Sequence, residues 1–86
     1  MNVFREKVLA VVLAIPKGKT LTYKEVAQKA GNPYAARAVG AIMKANFNRV
    51  IPCHRVIRSD GTAGEYNRGR GKKIALLKKE GAKIIK

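Results

Sequence analysis

Hydrophobic positions at the start of the chain recur at helical spacing. Phe4, Val8, Val11, Val12 and Ile15 share one face, which predicts a first helix from about Asn2 to Ile15, stopped by Pro16. Lys17-Gly18-Lys19 reads as a short basic loop. Leu21-Thr22-Tyr23-Lys24-Glu25-Val26 then marks a helix start: Thr22 as N-cap, Glu25 three residues on to complete a capping box, and Leu21 placed to staple onto Val26. That helix is predicted to end near Ala30, with Gly31 as its C-terminal stop. Asn32-Pro33 restarts at once, Asn32 as N-cap and Pro33 at the first helical position, and a third helix follows to about Ala45. Two short helices joined by Gly-Asn-Pro form a helix-turn-helix.

The pattern loosens afterwards. Asn46 to Arg55 reads as an irregular loop, Val56-Ile57-Arg58 as a short strand, Ser59-Asp60-Gly61 as a turn, and Thr62 to Arg70 as a glycine-punctuated loop. Ile74 and Leu77, with Leu76 beside them, predict a last helix ending at Glu80-Gly81, and Ala82 to Lys86 reads as a loose tail or short edge strand. The expected fold is mainly α: one helix-turn-helix domain over residues 1–86, winged-helix-like, with an active-site loop and at most a short β element.

Composition narrows the class. Eighty-six residues with 47% hydrophobic content and only three prolines describe one small folded domain. The single cysteine forms no internal disulfide and supplies no metal-ligand cluster, which fits a reducing, cytoplasmic compartment. The longest apolar run, Val8 to Ile15, is too short to span a membrane, and no targeting segment is legible. Lysine and arginine number 19 against five acidic residues, a net charge of +14. A solvated basic face or an anionic membrane surface could account for that charge. Nucleic acid accounts for it better, since no helix here pairs a basic face with a bulky aromatic one.

Ile51-Pro52-Cys53-His54-Arg55-Val56 holds the only cysteine and the only histidine, side by side. A thiolate forms readily where a base or positive charge favours it, so the pair points to a nucleophile brought to a polyanion. A buried structural cysteine beside a surface histidine is the plainer alternative. The third helix offers Ala35, Ala36, Ala38, Gly40 and Ala41, with Arg37 the one long charged side chain among them. Such a face allows close helix packing, or a helix pressed into a narrow DNA groove with Arg37 probing the base stack. Tyr23, on the first turn of the preceding helix, is either core or a phosphate contact.

Taken together, Thr22-Tyr23-Lys24-Glu25-Val26-Ala27, Gly31-Asn32-Pro33, Ala35-Ala36-Arg37-Ala38-Val39-Gly40, Ile51-Pro52-Cys53-His54-Arg55-Val56, Gly64-Glu65-Tyr66 and Glu80-Gly81 closely resemble the O6-alkylguanine-DNA alkyltransferases, the methylated-DNA–protein-cysteine methyltransferase family. The resemblance covers nearly the whole chain but only the C-terminal half of a full-length member, so the family's N-terminal domain is expected to be absent. A minimal natural version, a fragment and a design all fit that reading.

The resemblance implies a function. A monomer binds double-stranded DNA in the minor groove, flips O6-alkylguanine out of the stack and moves the alkyl group to Cys53 once per molecule, with no cofactor and no metal. It implies that Arg37 fills the gap, that Tyr23 rotates the phosphate and assists the leaving guanine, and that Ala35, Ala36, Ala38 and Gly40 lie against DNA. His54 takes the thiol proton through a water and Glu80 orients His54. Asn46 braces the turn near the cysteine, and Val56, Gly64, Tyr66 and Asn67 line the alkyl and base pocket. Arg55 binds phosphate or anchors the loop; the sequence leaves both open. The chain departs from the family in a loop before Cys53 that is one residue shorter, and in Asn67-Arg68 where small residues are usual. A non-catalytic, alkyltransferase-like lesion-binding protein and a general helix-turn-helix regulator are the competing readings.

Overall fold

The computed structural model describes residues 3–64 and 66–84. The expected helix start at Asn2, Glu65 of the pocket segment and the tail residues Ile85 and Lys86 lie outside the described residues. Helix α1 runs over Val3–Leu13 and leaves Ile15 beyond its end, still buried. Strand β1 is Leu21–Thr22, α2 is Tyr23–Lys29, α3 is Ala36–Ala45, β2 is Val56–Ile57 and α4 is Arg70–Lys79. A single turn of 3-10 helix, Cys53–Arg55, leads directly into β2.

Helix α2 forms for the local reasons its sequence states. The Glu25 amide donates to Thr22 Oγ1 at 3.0 Å and the Thr22 amide to Glu25 Oε1 at 2.8 Å, closing the capping box. At the other end Gly31 takes a positive φ of 98°, so the amides of Gly31 and Asn32 turn back onto the carbonyls of Gln28 and Ala27. The same device ends α4, where Gly81 has φ 81° and the amides of Gly81 and Ala82 bond to Lys78 and Leu77.

Helix α3 begins three residues later than the sequence predicts. Asn32 does not cap it. Its Oδ1 accepts the Tyr34 amide at 3.1 Å and its carbonyl accepts the Ala35 amide, so Asn32-Pro33-Tyr34-Ala35 is a separate turn. Ala35 therefore sits at the N-cap position, without a side-chain cap, rather than inside the helix.

The expected strand at Val56-Ile57-Arg58 pairs only through Val56 and Ile57, and its partner is Leu21–Thr22, which the sequence marks solely as a helix start. The two strands run parallel, Leu21 opposite Val56 and Thr22 opposite Ile57. This ribbon fastens the start of α2 to the segment that carries Cys53. The tail is neither loose nor a strand over the residues described: Ala82 and Ile84 pack on Ile57, Ala63 and Leu77.

The main core joins α1, α2 and α3 through Val8, Val12, Val26, Val39, Met43 and Val56, the valines all 0% exposed. Burial of each such side chain contributes about 1.5 kcal/mol or more. Cys53 belongs to the same cluster at 7% exposure, so the thiol is bedded in the core rather than displayed on a loop.

Candidate functional site

Cys53 opens the 3-10 turn. Pro52 cannot donate a backbone hydrogen bond, and the turn closes instead through the Arg55 amide on Pro52 and the Val56 amide on Cys53. Asn46, buried at the C-terminal end of α3, reaches across seven residues to donate Nδ2–H to Cys53 Sγ at 2.7 Å. The same amide group spans the short loop, accepting from the Asn48 amide at 3.3 Å and donating to the Asn48 carbonyl at 3.4 Å. The shortened loop is thus compatible with the expected bracing role of Asn46. An N–H aimed at sulfur favours negative charge there.

His54 and Arg55 both meet Glu80, which ends α4. His54 Nε2 lies 3.0 Å from Glu80 Oε2, and Arg55 donates Nε–H to Oε1 at 2.9 Å and Nη2–H to Oε2 at 2.8 Å. All three side chains are mostly buried, 11–16% exposed. The Arg55 hydrogen bonds, more than offsetting burial and joined by His54, hold the Glu80 carboxyl down to about 2. The bond to Glu80 likewise raises the affinity of Arg55 for its proton. An ionised carboxylate only accepts, so His54 Nε2 carries the hydrogen of that contact and Nδ1 is left as the basic nitrogen.

Arg55 Nη1 donates to the Ile15 carbonyl at 2.8 Å, so Nε and both Nη atoms are engaged within the protein. The sequence left Arg55 between phosphate contact and loop anchor. Its placement is that of an anchor, tying the cysteine turn to α4 and to the end of α1, and it speaks against a place in the DNA-binding set.

A cavity of about 530 Å³ opens over Cys53, lined among others by Tyr23, Met43, Phe47, Arg58, Tyr66 and Asn67. Its size is within the range of small-molecule sites. Of the four expected pocket residues, Tyr66 and Asn67 line it and two do not. Val56 is 0% exposed because β2 is buried on both faces, and it belongs to the core. Gly64 stands behind the wall, with φ 75°, and a Cβ there would meet Arg58 Cγ at 3.2 Å and Tyr23 Oη at 3.6 Å. Its contribution is backbone shape and close approach.

Asn67 Nδ2 points at three carbonyls at the end of α3: Met43 at 3.4 Å, Lys44 at 3.1 Å and Asn46 at 2.6 Å. Arg68 donates to the Phe47 carbonyl at 2.7 Å and to Tyr66 Oη at 3.3 Å. Asn67-Arg68, the departure noted in the sequence, therefore straps the loop after Gly64 onto the loop before Cys53.

The small-residue face of α3 is only partly covered, Ala35 packing against the core and Gly40 and Ala41 bordering the cavity over Cys53. Arg37, Ala38 and Ala41 are exposed, Ala35, Ala36 and Gly40 half-buried, while Val39 and Met43 face the core. A Cβ on Gly40 would meet nothing within 4 Å. Glycine inside a helix costs about 1 kcal/mol relative to alanine. No internal crowding accounts for that residue, so close packing does not explain Gly40.

Three contributors escaped the sequence reading. Arg58 and Phe47 line the cavity, Phe47 with 64% of its surface exposed. Lys73 is 1% exposed, donates Nζ–H to the Val56 carbonyl at 2.7 Å, and sits 5.7 Å from the centre of the Tyr23 ring. Burial lowers its proton affinity to about 8, against the attraction of Cys53 and with a further push from Arg58. The one signal for Lys73 was its place four residues before Leu77, on the buried side of α4. Among the described residues no group of three or more His, Cys, Asp or Glu could hold a metal ion, and no helix is long and apolar enough to cross a membrane.

Comparison with known proteins agrees with this geometry. Residues 3–82 match the family model for the 6-O-methylguanine DNA methyltransferase, DNA binding domain. A methylated-DNA–protein-cysteine methyltransferase of Methanothermobacter thermautotrophicus is 51% identical over 81 residues, covering 94% of this chain and 46% of the relative. The solved structure of Mycobacterium tuberculosis OGT in complex with DNA superposes with a TM-score of 0.88 at 40% identity, over 94% of this chain and 51% of that one. S. pombe Atl1 in complex with damaged DNA containing O6-carboxymethylguanine superposes with a TM-score of 0.83 at 39% identity, over 94% of this chain and 78% of that one. The chain thus spans about half the length of the methyltransferases it matches. The helix-turn-helix, the Cys-His turn and the Glu80 contact were each reached from the sequence and geometry; with the family model matched from residue 3 to residue 82, the chain belongs to the 6-O-methylguanine DNA methyltransferase family, as its DNA-binding domain.

Proposed function

We propose that this chain repairs duplex DNA by moving an alkyl group from O6-alkylguanine to Cys53, once per molecule and without cofactor. The observation that carries the reading is a thiol at the floor of a cavity of about 530 Å³, with Asn46 donating to its sulfur and a His54–Glu80 pair beginning at the next residue. A protein that merely binds a lesion has no use for a nucleophile, a base and a group orienting the base.

The steps follow from the residues. Helix α3 lies in the minor groove, where Ala36, Ala38 and Gly40 permit close approach and Arg37 enters the space the guanine leaves. Tyr23, at the N-terminal end of α2, contacts the neighbouring phosphate, and the extruded base enters the cavity beside Tyr66 and Asn67. The Cys53 proton passes through a water to His54 Nδ1, while Glu80 stabilises the imidazolium from Nε2. The thiolate attacks the alkyl carbon, a C–S bond forms, and the C–O bond breaks with its electron pair on the guanine. The guanine takes a proton from the Tyr23 hydroxyl, which His54 restores. The thioether has no leaving route, so the molecule is spent. The acting species is read as a monomer, in a reducing compartment.

The likeness to S. pombe Atl1 favours one alternative, lesion binding without transfer. Intact-protein mass spectrometry after mixing with a duplex carrying one O6-methylguanine separates the two. Gain of one methyl group, mapped to Cys53 and lost in Cys53→Ser, supports repair. Binding of the lesion by folded protein with no mass gain overturns repair in favour of the alternative.

A further inference from the structure

Arg58 lines the cavity over Cys53, yet the steps proposed above give it no part. It is the first residue after β2, and its backbone is fixed there. The Arg58 amide donates to the Thr62 carbonyl at 3.0 Å and the Arg58 carbonyl accepts the Gly61 amide at 3.0 Å, closing the turn through Asp60. The side chain is seated as well. A Cβ built on Gly64 would lie 3.2 Å from Arg58 Cγ, 3.4 Å from Arg58 Nε and 3.6 Å from Tyr23 Oη. The guanidinium and the Tyr23 hydroxyl therefore converge on the notch that Gly64 leaves open. No hydrogen bond or ion pair to another described residue engages that guanidinium. Asp60, the acid of the same turn, turns its Oδ1 to Thr62, accepting from the amide at 3.0 Å and from the hydroxyl at 2.7 Å.

We infer that Arg58 grips one of the two phosphates flanking the extruded guanine, at the mouth of the cavity and beside Tyr23. The inference rests on the proposed entry of the base into this cavity, and not on transfer to Cys53. A guanidinium is always charged, and its planar fork matches two oxygens of a phosphate. The position selects phosphate over the base itself. Cys53, at 7% exposure, lies at the floor, while Arg58 is exposed. A nucleotide that offers its O6-alkyl group to the sulfur stays tied to the duplex through its phosphates, so these remain on the open side. Ala41 and Lys44 bring exposed residues of α3 to the same cavity, so its mouth is continuous with the helix proposed to enter the groove. Phosphate contacts fix position without reading sequence, as a lesion found in any context requires.

The test measures binding of the full chain, as Cys53→Ser so that no transfer intervenes, to a duplex carrying one O6-methylguanine. Fluorescence anisotropy compares Arg58 with Arg58→Ala on that background. Arg58→Ala is expected to weaken binding about tenfold and to lower the slope of log affinity against log salt by about one. Arg58→Lys, which keeps the charge, is expected to restore most of the affinity. Two further duplexes replace the phosphate 5′ or 3′ of the lesion, each in turn, by an uncharged methylphosphonate. On one of them the difference between Arg58 and Arg58→Ala is expected to vanish, because the contact has lost its charge on the DNA side. A difference that persists undiminished on both duplexes places Arg58 on the base or on a remote phosphate and overturns the inference. Equal affinities of Arg58 and Arg58→Ala on the ordinary duplex also overturn it. Coupling to one phosphate in a protein that gains no methyl group counts against the proposed transfer and leaves the Arg58 contact standing. Methyl gain without that coupling does the reverse.

Discussion

Replacing Glu80 by glutamine removes one charge and leaves nearly the same shape. The carboxylate accepts three contacts, from His54 Nε2 at 3.0 Å and from Arg55 Nε and Nη2 at 2.9 and 2.8 Å. A glutamine keeps one acceptor oxygen and turns an NH₂ group toward donors, so at least one charge-assisted bond is lost and another is opposed. Breaking a well-buried pair costs about 3–5 kcal/mol, and partial solvation of these side chains reduces that to about 2–3 kcal/mol. Domains of this size have about 5–10 kcal/mol in all. The melting temperature of Glu80→Gln should therefore drop by roughly 10–20 °C at neutral pH. The acid dependence gives a second, independent reading. The Glu80 carboxyl is held down from 4.5 to about 2 when folded, so its contribution is whole above the higher value and drains away as pH falls toward the lower. Melts followed by far-UV circular dichroism should show a gap between parent and variant that is constant above that window and closes within it. A variant melting within about 2 °C of the parent, or a gap that persists in acid, would refute the argument.

Other substitutions probe the remaining parts. Asn67→Asp sets a carboxylate against the carbonyls of Met43, Lys44 and Asn46, and should cost about 2–4 kcal/mol in urea unfolding, more than Asn67→Ser. Gly40→Ala fills empty space on a helix, so it should stabilise the fold by about 1 kcal/mol while weakening duplex binding; equal DNA affinity by fluorescence anisotropy would remove α3 from the interface. Arg37 is exposed, so Arg37→Ala should leave the melting temperature unchanged and slow transfer from duplex DNA far more than transfer from the free alkylated base. Equal losses on both substrates would contradict insertion into the stack.

What the sequence disclosed was local. The Thr22–Glu25 capping box and the glycine stops at Gly31 and Gly81 depend on residues within a few positions of one another, and all three formed as read. The start of α3 was misplaced because Asn32 has two local uses, and the turn through Tyr34 and Ala35 took the oxygen that a cap would have needed. Strand β1 was invisible because two residues give no alternation, and its partner lies far along the chain. Cys53 and His54 stood out as the only cysteine and the only histidine, side by side in a basic chain, whereas Glu80 was found through family resemblance, which supplied the contact that spacing alone does not. Lys73 was hidden by chemistry: beside Lys72, in a strongly basic chain, it reads as one more solvated charge until tertiary packing removes the water. Val56 was placed in the pocket by family resemblance, which does not show that β2 is buried on both faces here.

The contacts that complete the site are long in sequence. Glu80 meets Arg55 across 25 residues and His54 across 26, and Arg55 reaches Ile15 across 40. Closing loops of that length is opposed by chain entropy, which only a nearly finished core offsets. If the core forms before α4 docks, as those separations favour, assembly order would act as a safety catch on the thiol. A chain with α2 and α3 formed but α4 undocked would have the exposed Arg37 helix and the cysteine, yet no carboxylate behind the histidine. On the proposed function, recognition would mature before reactivity, and a molecule that loosened α4 would lose the Glu80 contacts first while its helix-turn-helix remained folded.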